Sequence, residues 1–156
     1  MRNPKFFLFV FLLAMVVATG SARAQISPRR PAAELGGTAW QLVKFEGGDD
    51  KTLTPDDNAK YTVAFRTDGL VSVRIDCNRA HGAWKSIRPN QLQFGPLATT
   101  RAMCPLESLY NRIAKDWGYV RSYTIKDGHL FLSLMADGGV YEFGPAIGVP
   151  AQAQPN

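Results

Sequence analysis

The sequence predicts an α+β fold, mostly antiparallel β-strands with one packed α-helix. Three observations predict it. Several short runs alternate apolar and polar residues with a period of two, Gly and Asp-Gly turns separate them, and one stretch alone repeats with the helical period. The chain has 156 residues, 46% hydrophobic, 20% charged and 11% aromatic, with two cysteines. That composition excludes a disordered chain and a disulfide-dense miniprotein, and points to one ordinary globular domain.

Arg2 and Lys5 precede an unbroken apolar run from Phe6 to Ala18, which Ala22-Arg23-Ala24 follows. This pattern reads as a secretory signal peptide over 1–24, cleaved after Ala24. As a helix the run rises about 20 Å, short of the roughly 30 Å of a bilayer core, so no membrane anchor is expected. No cysteine follows the run to carry a lipid. A periplasmic or secreted protein is therefore expected. The formal charge of +5 includes Arg2, Lys5 and Arg23 of the leader and no leader acid, so the mature balance is +2. The remaining cations are interspersed with acids, and no nucleic-acid partner is expected.

Residues 25–34 carry Ser27-Pro28-Arg29-Arg30-Pro31 and read as a flexible linker, and 145–156, rich in proline and small residues, as a flexible tail. The folded domain is placed between them, at 35–144. Thr38 to Phe45 is β-branched and aromatic and stops at Gly47-Gly48, a first strand. Tyr61, Val63 and Phe65, then Thr67-Asp68-Gly69, then Val71, Val73 and Ile75 form a hairpin. Shorter strands are expected at Gly82 to Ile87 and Gln91 to Phe94, with Pro89 in the turn between them. Leu106, Leu109, Tyr110, Ile113, Ala114 and Trp117 fall on one helical face, with Pro105 at its start and Gly118 at its stop. Tyr123 to Lys126, Asp127-Gly128, Leu130 to Leu134, Asp137-Gly138-Gly139 and Val140 to Phe143 close the chain as a meander.

Cys77 continues the parity of Val71, Val73 and Ile75 and is expected to face the core. In an exported chain it is expected to pair with Cys104. That bond would close a loop of about 28 residues, worth about 3 to 4 kcal/mol in the chain-entropy account. Two sharper readings compete with this structural one. Cys104 ahead of a helix could be an activated thiol, and Cys77, His81, Cys104 and His129 have metal-ligand chemistry. The first lacks a C-x-x-C partner and the second lacks paired close spacings. No metal and no cofactor are expected. Asp49, Asp50, Asp56 and Asp57 lack calcium-loop spacing and read as a solvated loop. Trp40, Trp84 and Trp117 read as core packing. Arg79, Lys85, Arg88 and Arg101, on the segments bracketing the cysteines, are candidates for an anion-binding or partner-binding surface. No nucleophile elbow, P-loop, zincin or dinucleotide fingerprint is present, and no enzyme activity is expected.

The stretch from Gly37 to Phe143 resembles the META domain, the family of the bacterial heat-shock protein HslJ. The resemblance rests on Gly37-Thr38-Ala39-Trp40-Gln41-Leu42, Phe65-Arg66-Thr67-Asp68-Gly69, Cys77-Asn78-Arg79 with Gly82 and Trp84, Leu92 to Pro96, and Thr99-Thr100-Arg101-Ala102-Met103-Cys104-Pro105. It implies a small curved antiparallel sheet or incomplete β-barrel with one helix against it, and an envelope protein tied to stress, with no family active site. Asp76 stands where the family usually has glycine. Three functions follow as expectations. The first is a non-catalytic, monomeric binding or stability module for envelope proteins in stress tolerance. The second is a carrier of a small hydrophobic ligand or lipid inside the curved sheet. The third is an inhibitor of an envelope hydrolase, for which residues 47–57 are the only protruding loop the sequence offers.

Overall fold

The computed structural model describes residues 35–148, so the expected signal peptide, the linker and residues 149–156 of the tail lie outside the described residues. Strand β1 (Thr38–Gly47) is the longest and pairs with β10 (Gly139–Pro145) from Trp40 to Gly47. Its other edge takes β3 (Tyr61–Phe65) at the first half and the two-residue β2 (Thr52–Leu53) at the second. From β3 the sheet continues through β4 (Leu70–Ile75) and β5 (Asn78–Lys85) to β6 (Gln93–Phe94), while β7 (Ala98–Thr99) pairs with β5. From β10 it continues the other way through β9 (His129–Leu134) to β8 (Val120–Lys126).

The two ends of this all-antiparallel sheet meet. Leu92 N–H donates to Arg121 O at 3.0 Å, Tyr123 N–H to Asn90 O at 2.9 Å, and Gln91 bridges Ser122. The result is a nearly closed barrel. The alternation read from the sequence sets which residues fill it: Leu42, Phe45, Val63, Phe65, Val71, Ile75, Tyr123, Leu130, Leu132 and Tyr141 are all buried. The Asp-Gly turns behave as their chemistry requires. Gly69 takes φ +84°, and Asp127 and Gly128 are both left-handed, the signature of the tight hairpin turn.

The described residues contain a single α-helix, α1 (Tyr110–Asp116), followed by a 3₁₀ turn over Trp117–Tyr119. Ile113 and Trp117 are buried against the barrel, and the Trp117 ring stacks on Phe94 with centroids 4.1 Å apart. This corrects the expected helix start. Leu106, assigned to the apolar stripe, is 100% exposed, and Pro105 opens a turn closed by Ser108 N–H on Pro105 O at 3.0 Å. The backbone before Tyr110 does not coil because Asn78, the Cys77–Cys104 bond and the Tyr61 hydroxyl hold it.

Three further expectations are corrected. Cys77 is exposed, because β4 ends at Ile75 and the two-residue turn Asp76-Cys77, with Asp76 at φ +56°, breaks the strand parity. Asp76 itself takes the left-handed conformation for which glycine is the usual choice. β5 consequently begins at Asn78 and not at Gly82. Residues 47–57 do not protrude freely, since β2 folds back on Phe45 and Glu46 and Asp57 caps the 3₁₀ turn Asn58–Lys60 by accepting from Ala59 N–H at 2.9 Å.

Candidate functional site

The site grows from the turn between β4 and β5. Cys77 and Cys104 form the expected disulfide, with Cα atoms 5.5 Å apart. Next to it, Asn78 is fully buried and spends its amide on the segment that leads to Cys104. Its Nδ2 donates to Ala102 O at 3.0 Å and lies 3.2 Å from Cys104 Sγ. Its Oδ1 accepts from Ala102 N–H at 2.8 Å and from Thr100 Oγ at 2.9 Å. Thr100 Oγ in turn accepts from Arg79 N–H, and Thr100 N–H donates to Arg79 O, both at 2.9 Å. Further on, Leu109 N–H donates to the Tyr61 hydroxyl at 3.2 Å.

The segment 100–109 is therefore a strap, pinned by β7 and Asn78 at one end, by the disulfide in the middle and by Tyr61 before the helix. Between those pins it turns two large apolar side chains outward: Met103 is 99% exposed and Leu106 100%. Arg101 on the strap and Arg79, whose backbone pairs with Thr100, are also exposed and lie together at its N-terminal end. Scattered exposed apolar residues mean little, but two on one pre-ordered strap present a contact surface whose ordering cost is already met within the fold.

The four candidate cations divide between the two ends of β5. Arg79 and Arg101 lie beside the strap. Lys85 is six residues further along the strand, about 20 Å away at strand rise, and Arg88 follows in the turn whose carbonyl accepts from Gln91 N–H. The histidines do not join the cysteines. His81 Nδ1 lies 3.3 Å from Ser72 Oγ, and His129 Nδ1 pairs with Glu142 at 2.7 Å across the β9–β10 ladder. Cys104 stands six residues before α1 and is bonded to Cys77, so it is no activated thiol at a helix start.

A second cluster was not foreseen from the sequence. Arg112 Nε donates to Asp116 Oδ2 at 2.5 Å along α1, and the Tyr141 hydroxyl donates to the same oxygen at 2.7 Å. Asp116 is only 7% exposed. The Arg112 guanidinium lies 4.5 Å over the Phe45 ring, whose centroid is 4.4 Å from that of Tyr141. Burial, then the bond to Asp116, pushes the Tyr141 phenol well above its usual range, so it is a donor throughout the physiological range. This cluster holds the helix on the barrel. The i, i+4 Arg-Asp spacing was the signal that could have revealed its first pair.

Beneath the helix the barrel is filled. The enclosed space lined by Ile113, Trp117, Val120, Leu132, Tyr141 and Phe143 measures about 10 Å³, roughly the centre volume of one water. A lipid or other hydrophobic cargo has no room there. Among the described residues no helix is long and apolar enough to cross a membrane.

The model of the META domain family matches residues 33–146. No curated protein matches the chain. Among solved structures, an NMR structure of a protein from Burkholderia xenovorans superposes with a TM-score of 0.62 at 20% identity, covering 83% of this chain and 97% of that one. A DUF4847 family protein from Bacteroides vulgatus gives 0.54 at 14%, covering 70% and 93%. A further NMR structure gives 0.54 at 22%, covering 73% and 93%. At these identities the likeness is one of fold.

Proposed function

The chain belongs to the META domain family, and from that premise we propose that it is a non-catalytic binding module of the cell envelope, engaging an envelope protein through the strap under stress. The observation that carries the reading is the strap itself, with Met103 and Leu106 displayed just beyond Arg79 and Arg101 on backbone pinned by Asn78 and the disulfide. Export to an oxidising compartment is part of the proposal. The leader-like pattern at 1–24 and the Cys77–Cys104 bond support it. Binding is preferred over catalysis because the most buried ionic cluster, Arg112–Asp116–Tyr141, is engaged in holding the helix.

The carrier reading is not favoured, since the barrel interior is occupied by side chains. The inhibitor reading survives only as one form of partner binding, and it moves from residues 47–57 to the strap.

A photo-crosslinking residue placed at Met103 in the native host tests this. One recurring protein partner is expected, lost when Leu106→Ser is added and absent when the crosslinker sits at Lys126, the last residue of β8. Equal capture from both positions would overturn the strap as the docking surface. Turnover of peptidoglycan, peptide or ester by the purified protein would overturn the non-catalytic reading.

A further inference from the structure

The barrel closes through very little backbone, two hydrogen bonds and one bridge between residues 90–92 and β8. Beside this seam, where β6 turns away to pair with the end of β5, an open cleft of about 510 Å³ remains. That volume lies within the range of small-molecule sites. We propose that the seam cleft is a second binding site, independent of the strap, for a small organic anion with a flat aromatic body.

Charge is the first argument. The charged residues lining the cleft are Lys85, from the last position of β5, and Arg121, from β8, and among the described residues no carboxylate lines it. Among the described residues neither cation has a carboxylate partner. The Arg121 Nη1 donates to the carbonyls of Gly118 and Val120 at 2.7 and 2.8 Å, and its Nη2 lies 3.6 Å from Met135 Sδ. Those contacts orient the guanidinium without neutralising it. Two uncompensated cations facing one concavity favour an anion there.

The second argument is the backbone. The β8–β9 register shifts between Val120 and Ser122, so Arg121 is the extra residue of a β-bulge. Bulges re-aim side chains at barrel rims and beside binding sites, and here the bulge presents Arg121 at the seam. The wall just past the C-terminal end of α1 stays open at Gly118, where an added Cβ would meet nothing within 4 Å.

Stiff aromatic walls are the third. Phe94 is backed by Trp117 at 4.1 Å and by Phe65 at 6.0 Å, and Trp84 is fixed by its Nε1–H on Arg66 O at 3.2 Å. A flat ligand can stack on such a wall without ordering it further. The Gln93 amide adds one donor and one acceptor at the rim.

Backbone-amide NMR titration of the purified protein with 2-naphthoate, 2-naphthyl phosphate and uncharged 2-naphthylmethanol tests the proposal. Saturable shifts are expected at Lys85, Gln93, Phe94, Gly95, Gly118 and Arg121, with the naphthylmethanol weaker by about tenfold or more. Lys85→Gln, an exposed change that leaves the seam intact, should weaken both anions about five- to tenfold. Tighter binding of the phosphate ester would assign a phosphomonoester ligand, and tighter or equal binding of the naphthoate a carboxylate. Equal binding of charged and uncharged probes, unaltered affinity in Lys85→Gln, or shifts centred on the strap would overturn the site. Met103→Ser should leave these titrations unchanged, so failure of the strap reading and failure of the cleft are separable.

Discussion

Asn78→Ala should detach the strap from the barrel without breaking its covalent tether. The side chain removed makes three well-formed neutral hydrogen bonds, at 3.0, 2.8 and 2.9 Å, to the backbone of Ala102 and the hydroxyl of Thr100. At about 1 kcal/mol net for each, the loss is about 3 kcal/mol. A small cavity adds to it, and re-solvation of the freed Ala102 groups on the exposed strap offsets part of it. Urea unfolding under non-reducing conditions reads this directly. With a slope near 2 kcal/mol/M, the midpoint should fall by about 1.5 M. Asn78→Asp has the same shape but sets an oxygen against Ala102 O. Burial raises the new carboxyl's pKa in the folded state above its unfolded value of about 3.9, so the folded protein binds the proton more tightly. Its stability should therefore be greatest at acid pH and fall as the pH rises through that window, whereas Asn78→Ala should show no such added pH dependence. A midpoint shift below about 0.3 M for Asn78→Ala would refute the strap as a tertiary element held by this amide.

Two other outcomes follow from the same geometry. Replacing Cys77 and Cys104 together by alanine opens a loop whose ends are 27 residues apart, for which chain entropy gives about 3.5 kcal/mol of lost stability. Urea midpoints check this, and a loss under about 1 kcal/mol would mean that Asn78 alone orders the strap. Tyr141→Phe removes the hydroxyl bond to buried Asp116 and should cost about 2 kcal/mol at neutral pH. Because the folded phenol titrates above its unfolded value, wild-type stability falls as the pH rises beyond about 10, by up to about 1.4 kcal/mol per pH unit from this group. Tyr141→Phe should lack that contribution between pH 9 and 11, as urea midpoints across the range would show, and equal slopes in both proteins would count against the assignment.

The strands were legible because period-two alternation survives wherever one face of a sheet is buried. Tyr61, Val63, Phe65 and their partners Val71, Val73 and Ile75 are read and observed alike. What failed were extrapolations of a period past the point where another contact takes over. The helical stripe was carried back to Leu106, yet Asn78, Cys77 and Tyr61 claim the backbone between Thr100 and Leu109 before a helix can form. The strand parity was carried forward to Cys77, and one left-handed residue, Asp76, cancelled it. Within the candidate site the disulfide was legible from residue type and compartment. Asn78 was not, because a buried asparagine satisfied by distant backbone has no local pattern. Arg121 was hidden for a related reason: a bulge is a property of two strands in register, and neither strand carries it alone.

A barrel path of eight strands has an interior just wide enough for side chains, and this one contains Phe45, Phe65, Trp84, Tyr123 and Tyr141. The seven-residue helix is too short to persist by propensity, so it exists because Ile113, Trp117 and the Arg112–Asp116–Tyr141 cluster dock it over the remaining opening. With the centre filled and the helix docked over it, the proposed binding surfaces lie at the periphery, and β5 serves both of them. Its first residues, Asn78 and Arg79, hold the strap, and its last, Trp84 and Lys85, wall the seam cleft. The two surfaces are about 20 Å apart along a strand whose hydrogen bonds to β4 run its length from Asn78 to Ala83, a distance at which substitutions normally act additively. Rigid spacing of the proposed protein-binding strap and the proposed anion-binding seam on one strand would let each be occupied without disturbing the other.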